Sequence, residues 1–449
     1  MTAGARVVAI DLGAASIRVA AVDLAAAVPE VEVLHRWRNS PVEAADGTLR
    51  WDWPRIVSEV ETGLERAVAA GPVASIGVDG WGVDYGLVDT AGDLVALPFS
   101  YRDARTEQWE STLDAIGADR IYAITGIQLM AINTLFQLAV HDRAELDRAR
   151  AMLLLPDLMV HALTGAQGAE RSNASTSAML DVSDGGWSGE LIDGIGLSGE
   201  ILPQIVDAPQ RAGWWQGIRV TTVGSHDTAS AFLGMPGSPG PGTVFVSSGT
   251  WLLVGVERDH ADTSEPARLA NFSNERGALG GFRFLKNVTG FWMLEQCRPA
   301  WGNPSIKQLI REAEAVPHSV PVVDATDTRF VSPESMLGEI VDAAGFDGEP
   351  ARGEVVRCIL ESIATSVGDI VEELSAITGT AMERVFIVGG SARVGLLNRL
   401  IAENTGLPVV IGASEATALG NAVVQGIGVG HFADLDAARS WLEGTGVPL

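Results

Sequence analysis

The chain has 449 residues, a formal net charge of −26 and an apolar content of 47%. That length exceeds what one hydrophobic core serves and predicts two or three domains, and a charged content of 20% is that of a folded rather than a disordered chain. So acidic a balance excludes a general binder of nucleic acid or of anionic membranes, because phosphate groups attract basic faces, while an anionic small ligand can still be held in a local site.

The first predicted element is a hairpin. Val7 to Asp23, VVAIDLGAASIRVAAVD, reads as an apolar strand, a tight turn carrying Gly13, Ser16 and Arg18, and a second apolar strand. Asp11 interrupts the first strand as it enters the turn, and a bare buried charge is costly, so it needs a partner or a task. Backbone N–H groups, a hydroxyl and a guanidinium at one hairpin mouth can hold a phosphate, and a carboxylate there can orient a magnesium ion. An ordinary hairpin with a surface aspartate has the same pattern.

Trp53 to Ala70 carries Ile56, Val57, Val60, Leu64, Ala67 and Val68 at helical spacing, with Pro54 suited to the first turn. Ala74 to Asp79 reads as a buried strand entering Gly80-Trp81-Gly82, and strand, helix, strand in this order suggests an α/β domain. Asp119 to Leu163 reads as mainly helical and Gly185 to Gly213 as broken and loop-like. The richest apolar stretch, Ala151 to Gly165, holds Pro156, Asp157 and His161 and is too short to span a bilayer. The amino terminus shows no secretory pattern, and the two cysteines, Cys297 and Cys358, fit a reducing compartment better than a disulfide framework; a cytoplasmic protein is expected.

The pattern restarts at Val223. Ser225-His226-Asp227-Thr228-Ala229 leads to a Gly/Pro cluster and then to VFVSSGTWLLVGVE, Val244 to Glu257, again strand, glycine turn, strand. Two such hairpins suggest a duplicated architecture with a cleft between its halves. Glu354 to Thr378 reads as helix, Val385 to Val388 as a strand into Gly389-Gly390, and Leu396 to Thr405 as helix. Glu415 to Ala422 reads as a helix start whose small residues allow close backbone approach. Neither GxxxxGK[ST] nor a GxGxxG after a strand occurs, so a nucleotide must be held another way.

Taken together these parts supply phosphoryl transfer, which needs a metal-orienting group, phosphate donors and a carboxylate to take a hydroxyl proton. Asp11 and Arg18 come from the first hairpin, Ser247 to Thr250 from the second, bare backbone from Gly389-Gly390, and Asp227 is flanked by His226 and Thr228. Singly, each has a plainer reading: a polar turn, a strand-to-helix connection, a helix cap, a structural histidine.

Their joint order resembles the FGGY carbohydrate kinases, and within them the rhamnulokinase group, from Val7 to about Gly430. The specific segments are Ser75 to Leu87 with Tyr101 to Thr106, Ser225 to Ala231, Ser247 to Trp251, Phe284 to Asn287 with Gly290 and Trp292, and Glu415 to Asn421. The resemblance implies an α/β fold of two ribonuclease-H-like domains of actin and hexokinase type around a central cleft. It places the sugar mainly on residues 1–222 and ATP mainly on residues 223–449. It implies Asp11 as the magnesium-positioning residue and Asp227 as the base that takes the proton of the attacking hydroxyl. Ala14, Ala15, Ser16, Ile17, Arg18, Thr250, Glu295 and Gly390 would meet ATP or its phosphates, and Gly82, His226, Asp227, Thr228 and Asn287 the sugar. ATP and Mg2+ are the implied cofactors. The expected partners are a ketose and ATP, with no nucleic acid and no membrane, and the expected state is a monomer or homodimer. The expected reaction is phosphorylation of L-rhamnulose at its primary C1 hydroxyl. Another ketose such as L-fuculose, or a non-catalytic sugar sensor, are the alternatives. The chain departs from the family pattern where Ala15-Ser16-Ile17-Arg18 replaces Ser-Ser-Gly-Arg, where Gly80 replaces a threonine, where Glu295 replaces a glutamine, and at Ser391-Ala392-Arg393.

Overall fold

The computed structural model describes residues 5–237, 239–249 and 251–449. They form two compact units whose boundaries interleave along the chain. The first takes Met1–Ser238, Arg258–Phe284 and Glu415–Thr445, and the second Pro239–Glu257, Leu285–Ser414 and Gly446–Leu449. Residues 223–237 and 415–445 therefore belong with the amino-terminal half.

The first unit is built on a six-stranded sheet of β1 (Arg6–Leu12), β2 (Ser16–Asp23), β3 (Val31–Arg38), β4 (Ser75–Gly80), β5 (Arg211–Trp215) and β6 (Ile218–Thr221), in the order β5-β6-β4-β1-β2-β3. β1 pairs antiparallel with β2 and parallel with β4. Val7 to Ile10 and Ile76 are fully buried, as expected of a central strand pair covered on both faces. The helix Trp53–Ala70 fills the crossover between β3 and β4; Asp52 caps it by accepting from the Arg55 amide, and Trp53, Ile56, Val60, Leu64 and Ala67 form its buried stripe. The helix Ala416–Gly428 lies across the sheet and against the helix Asp227–Leu233. Small residues allow this contact. A Cβ at Gly420 would lie 1.7 Å from the Ser230 carbonyl oxygen, and one at Gly234 2.1 Å from that of Ala416.

The run Asp119 to Leu163 is mainly helical as expected, in short helices, and also holds a strand, Ala151–Leu154, that pairs with Tyr85–Val88 before the helix Leu155–Thr164 begins. The strand and the first turns of that helix are buried on every side, so the apolar run carries no period to separate them. The loop-like stretch up to Gly213 contains the strand Gln204–Val206 and the start of β5, which turns into β6 through Gln216 and Gly217, both at positive φ.

The second unit repeats the central motif. β7 (Thr243–Ser248) pairs antiparallel with β8 (Leu252–Arg258) and parallel with β10 (Arg384–Val388), and β9 (Phe282–Val288), β11 (Val409–Ile411) and β12 (Val447–Pro448) extend the sheet in the order β9-β8-β7-β10-β11-β12. The helix Arg352–Thr378, with Val356, Leu360, Ile363, Ala364 and Val367 fully buried, packs beside the helix Gly395–Thr405. Cys297 and Cys358 are free and buried thiols in this unit, and burial pushes both above the ordinary thiol range. Among the described residues no helix is long and apolar enough to cross a membrane.

Candidate active site

Strand register assembles the first part of the site. The β1–β2 pairing sets Asp11 opposite Arg18, and the β1–β4 pairing sets Asp11 beside Asp79. Asp11 finds the partner its burial demands, with Arg18 Nε 3.1 Å from Asp11 Oδ2. Arg18 Nη1 also donates to Glu415 Oε2 at 2.6 Å, and Arg36 Nη2 donates to Glu415 Oε1 at 2.7 Å. Asn421 Nδ2 donates to Asp79 Oδ2 at 2.5 Å, while Gln425 Nε2 donates to Asn421 Oδ1 at 2.7 Å and to the Val8 carbonyl at 2.9 Å. The start of the helix Ala416–Gly428 thus supplies the polar partners of the hairpin mouth.

The electrostatics arise from this crowding. Burial pushes the Asp11 carboxyl up to about 6; the Arg18 charge opposes the rise, and those of Asp227 and Glu415 add to it. Asp79 stands well above the carboxylate range, first through burial and then through the charge of Asp11, against the Asn421 hydrogen bond. The charge of Asp227 raises both, so the base candidate belongs to the same electrostatic cluster. Arg18 is held above its ordinary range chiefly by Asp11. Against burial, Arg18 holds Glu415 below its ordinary value.

Asp227 opens the helix Asp227–Leu233, and His226 is the cap residue. The approach to it is fixed by Glu170, whose buried Oε2 accepts from the Ser225 amide and hydroxyl, both at 2.9 Å, and from the Ser172 hydroxyl at 2.5 Å. The His226 amide in turn donates to Ser172 Oγ at 3.2 Å. Held this way, the Asp227 side chain keeps 33% exposure beside a His226 side chain at 9%. Thr228 Oγ1 donates to Asp227 Oδ1 at 3.1 Å.

Gly82 sits in a strained turn. Val83 has φ +67°, a region a β-branched residue rarely enters. Thr134 Oγ1 donates to its carbonyl at 2.8 Å and its amide donates to Thr176 Oγ1 at 3.2 Å. Asp84 anchors the far side of the turn, accepting from the indoles of Trp51 at 2.7 Å and Trp81 at 3.0 Å and from the Gln137 amide at 3.2 Å. A Cβ on Gly82 would meet Thr176 Oγ1 at 2.7 Å, so only glycine fits.

The first unit therefore brings together Asp11, Arg18 and Asp227, with His226 and Thr228 next to the last. Ala14 and Ala15 form the hairpin turn, half-buried and exposed, and Ser16 begins β2. Ile17 is fully buried, so only its backbone can face a ligand. The other candidates lie in the second unit. Asn287 is half-buried on β9. Glu295 pairs with Arg298 at 2.5 Å. Gly390 is exposed, with no atom within 4 Å of where a Cβ would stand. It comes after Gly389 at φ +92°, where a Cβ would lie 2.5 Å from the Ser248 carbonyl oxygen. Thr250 lies outside the described residues. Sequence reasoning did not single out Asp79, Glu170, Glu275 or Arg283 as site residues. Only Asp79, a second acid in the strand leading to Gly80-Trp81-Gly82, carries a local signal.

A carboxylate cluster thus lies at the mouth of a hairpin, with a partly exposed aspartate at a helix start in the same electrostatic cluster. The chain belongs to the FGGY family of carbohydrate kinases: the model of the family's N-terminal domain matches residues 6–231 and that of its C-terminal domain residues 244–429. It is a phosphotransferase with an alcohol group as acceptor. Among its relatives, a rhamnulokinase of Pectobacterium carotovorum is 37% identical over 451 residues, covering 97% of this chain and 90% of the relative. A rhamnulokinase of Bacteroides thetaiotaomicron is 34% identical over 450 residues, covering 96% and 92%. Solved structures agree on the fold. A ligand-bound xylulose kinase from Lactobacillus acidophilus superposes with a TM-score of 0.79 at 14% identity, covering 99% of this chain and 92% of the other. A Plasmodium falciparum glycerol kinase with ADP does so with a TM-score of 0.78 at 15% identity, covering 99% and 93%. The fold is the two-domain α/β fold of actin and hexokinase type, and ATP is the substrate expected of the family.

Proposed function

We propose that this kinase transfers the terminal phosphoryl group of ATP to the primary C1 hydroxyl of L-rhamnulose, giving L-rhamnulose 1-phosphate. The observation that carries the reading is identity of 33–37% to proteins named rhamnulokinase over nearly the whole chain. In this reading Asp227 is the general base. Its carboxylate accepts the hydroxyl proton as the oxygen attacks phosphorus, and its partial exposure beside the buried His226 suits a group that must reach a substrate. Gly82, His226, Thr228 and Asn287 line the sugar, with the glycine turn giving bare backbone at the contact. The turn from Ala14 to Arg18, with Thr250, Glu295 and Gly390, meets ATP. The first unit, which takes in His226 to Thr228, would be mainly sugar-binding and the second mainly ATP-binding, a shift of the expected 222/223 boundary; the free buried thiols are in keeping with a cytoplasmic setting.

Asp11 suits a magnesium ion as a single anchor. It is a buried carboxylate in acidic company, pushed up to about 6, and a cation nearby favours its ionised form. Among the described residues no group of three or more acidic, histidine or cysteine side chains is arranged to hold a metal. A magnesium ion anchored at Asp11 would offset charge on the phosphates of ATP.

The test is ADP release with magnesium and ATP over a panel of L-rhamnulose, L-fuculose, xylulose and glycerol. Strongest turnover on L-rhamnulose is expected. Turnover on xylulose or glycerol with none on L-rhamnulose overturns the substrate, and ketose binding without ADP release on any member overturns the reaction.

A further inference from the structure

A buried charge cluster lies behind the base and takes no part in the transfer itself. His226 is flanked on both ring edges by carboxylates: Nδ1 is 3.1 Å from Glu275 Oε2, and Nε2 is 3.5 Å from Asp227 Oδ1. Glu275 is itself fixed, with Arg283 Nη2 3.1 Å from the same oxygen, and the two side chains retain only 5% and 1% exposure. They are carried by the strand Ser273–Arg276 and by β9. Against burial, His226 and Arg283 hold the Glu275 carboxyl below its ordinary value.

We propose that Glu275, held by Arg283, is a positioning residue for phosphoryl transfer: the pair packs on the Nδ1 edge of His226, with Glu275 Oε2 at 3.1 Å and Arg283 Nη2 at 3.3 Å, and thereby fixes the imidazole with its Nε2 edge beside the Asp227 carboxylate. A rigid, buried ion pair against one ring edge sets the ring plane. The opposite ring edge is then aimed without freedom at the one half-exposed carboxylate of the pair. A buried Glu–Arg pair alone would need no histidine and would gain nothing from lying beside a base. During transfer the hydroxyl proton goes to Asp227 and the histidine keeps its own, so the ring steers the base and does not take part in the proton count.

This inference rests on the assignment of Asp227 as base. The experiment measures kcat at saturating L-rhamnulose and ATP for wild type, Glu275→Gln, His226→Asn, the double variant and Asp227→Asn. Glu275→Gln is expected to lose on the order of 10- to 100-fold, less than the roughly 10⁴-fold seen when the misaligned histidine is itself the base. The double variant is expected to match His226→Asn within about twofold, because one effect acts through the other. Losses that multiply, or a Glu275→Gln kcat within twofold of wild type, overturn the inference. Should Asp227→Asn keep full turnover, the base assignment fails instead. Because Glu275→Gln strands a buried Arg283, urea melts of the same variants give a second reading. A folded Glu275→Gln with reduced kcat supports the inference, and a loss of kcat accounted for by the unfolded fraction overturns it.

Discussion

In the first unit the hairpin β1–β2 and its parallel neighbour β4 bring Asp11, Arg18 and Asp79 to one register level, whereas in the second the matching hairpin β7–β8 and β10 bring Ser247, Leu253 and Val388 to theirs. The topology is the same, two antiparallel strands with a parallel third. The chemistry is divided: charge, and the cost of burying it, is concentrated in one copy, and the other presents hydroxyls and bare backbone. Under the proposed roles, a duplicated scaffold separates acid–base work from the gripping of a nucleotide without changing its strand order.

The comparison breaks most visibly at Asp227. Asp227→Asn should cut kcat by about 10²- to 10⁴-fold, the usual worth of a positioned base, while sugar binding measured by calorimetry stays within a few fold. Retained turnover would remove the acid–base role from the charged copy. Next comes Gly420→Ala, whose Cβ would meet the Ser230 carbonyl at 1.7 Å. Backbone cannot rotate away, so a loss of at least about 1–3 kcal/mol in urea unfolding is expected, with kcat falling as the start of the Asp227 helix shifts. Gly390→Ala is its counterpart in the neutral copy; with open space around that position, it should leave the melting temperature unchanged and raise the KM for ATP.

Asp84 isolates the cost of buried charge. Burial pushes it up to about 6 against the hydrogen bonds of Trp81, Trp51 and Gln137, so between about pH 4 and 6 the folded state binds more protons than the unfolded one. Its contribution to stability therefore falls as pH rises through that window. Asp84→Asn, which loses an acceptor for the indoles, should be destabilised by about 1–3 kcal/mol, and the gap to wild type should narrow from pH 4 to pH 7 in urea melts. A gap that widens would contradict the sign. The smallest effect belongs to Glu295, tied to Arg298. Since a half-exposed pair is worth about 0–1 kcal/mol, Glu295→Gln should shift the KM for ATP by no more than about fivefold, measured by ADP release at varied ATP.

Much of this was legible from residues alone. Pro54 and the apolar stripe set the helix Trp53–Ala70, and Asp11 showed its need of a partner or a task, which the structure meets with Arg18, because a charge in an apolar strand cannot stand alone. What escaped was non-local. Glu170, Glu275 and Arg283 act on a loop tens of residues away and sit in no motif, and the strand Ala151–Leu154 merged with the helix after it because full burial erases periodicity. The Glu415 segment was visible as a close-packed helix start, but not as the source of two ion pairs to the arginines of β2 and β3.

The ion pair between Arg18 and Glu415 joins positions 397 residues apart. On a ribosome adding about 5–20 residues per second, the arginine waits roughly 20–80 seconds for its mate. Throughout that interval Asp11, Asp79 and Arg18 lack the carboxylate of Glu415 and the amides of the helix Ala416–Gly428, so the nascent amino-terminal half cannot settle before that segment is made. Chaperone dependence during translation, and insolubility of fragments ending ahead of Glu415, are the cellular signature to look for.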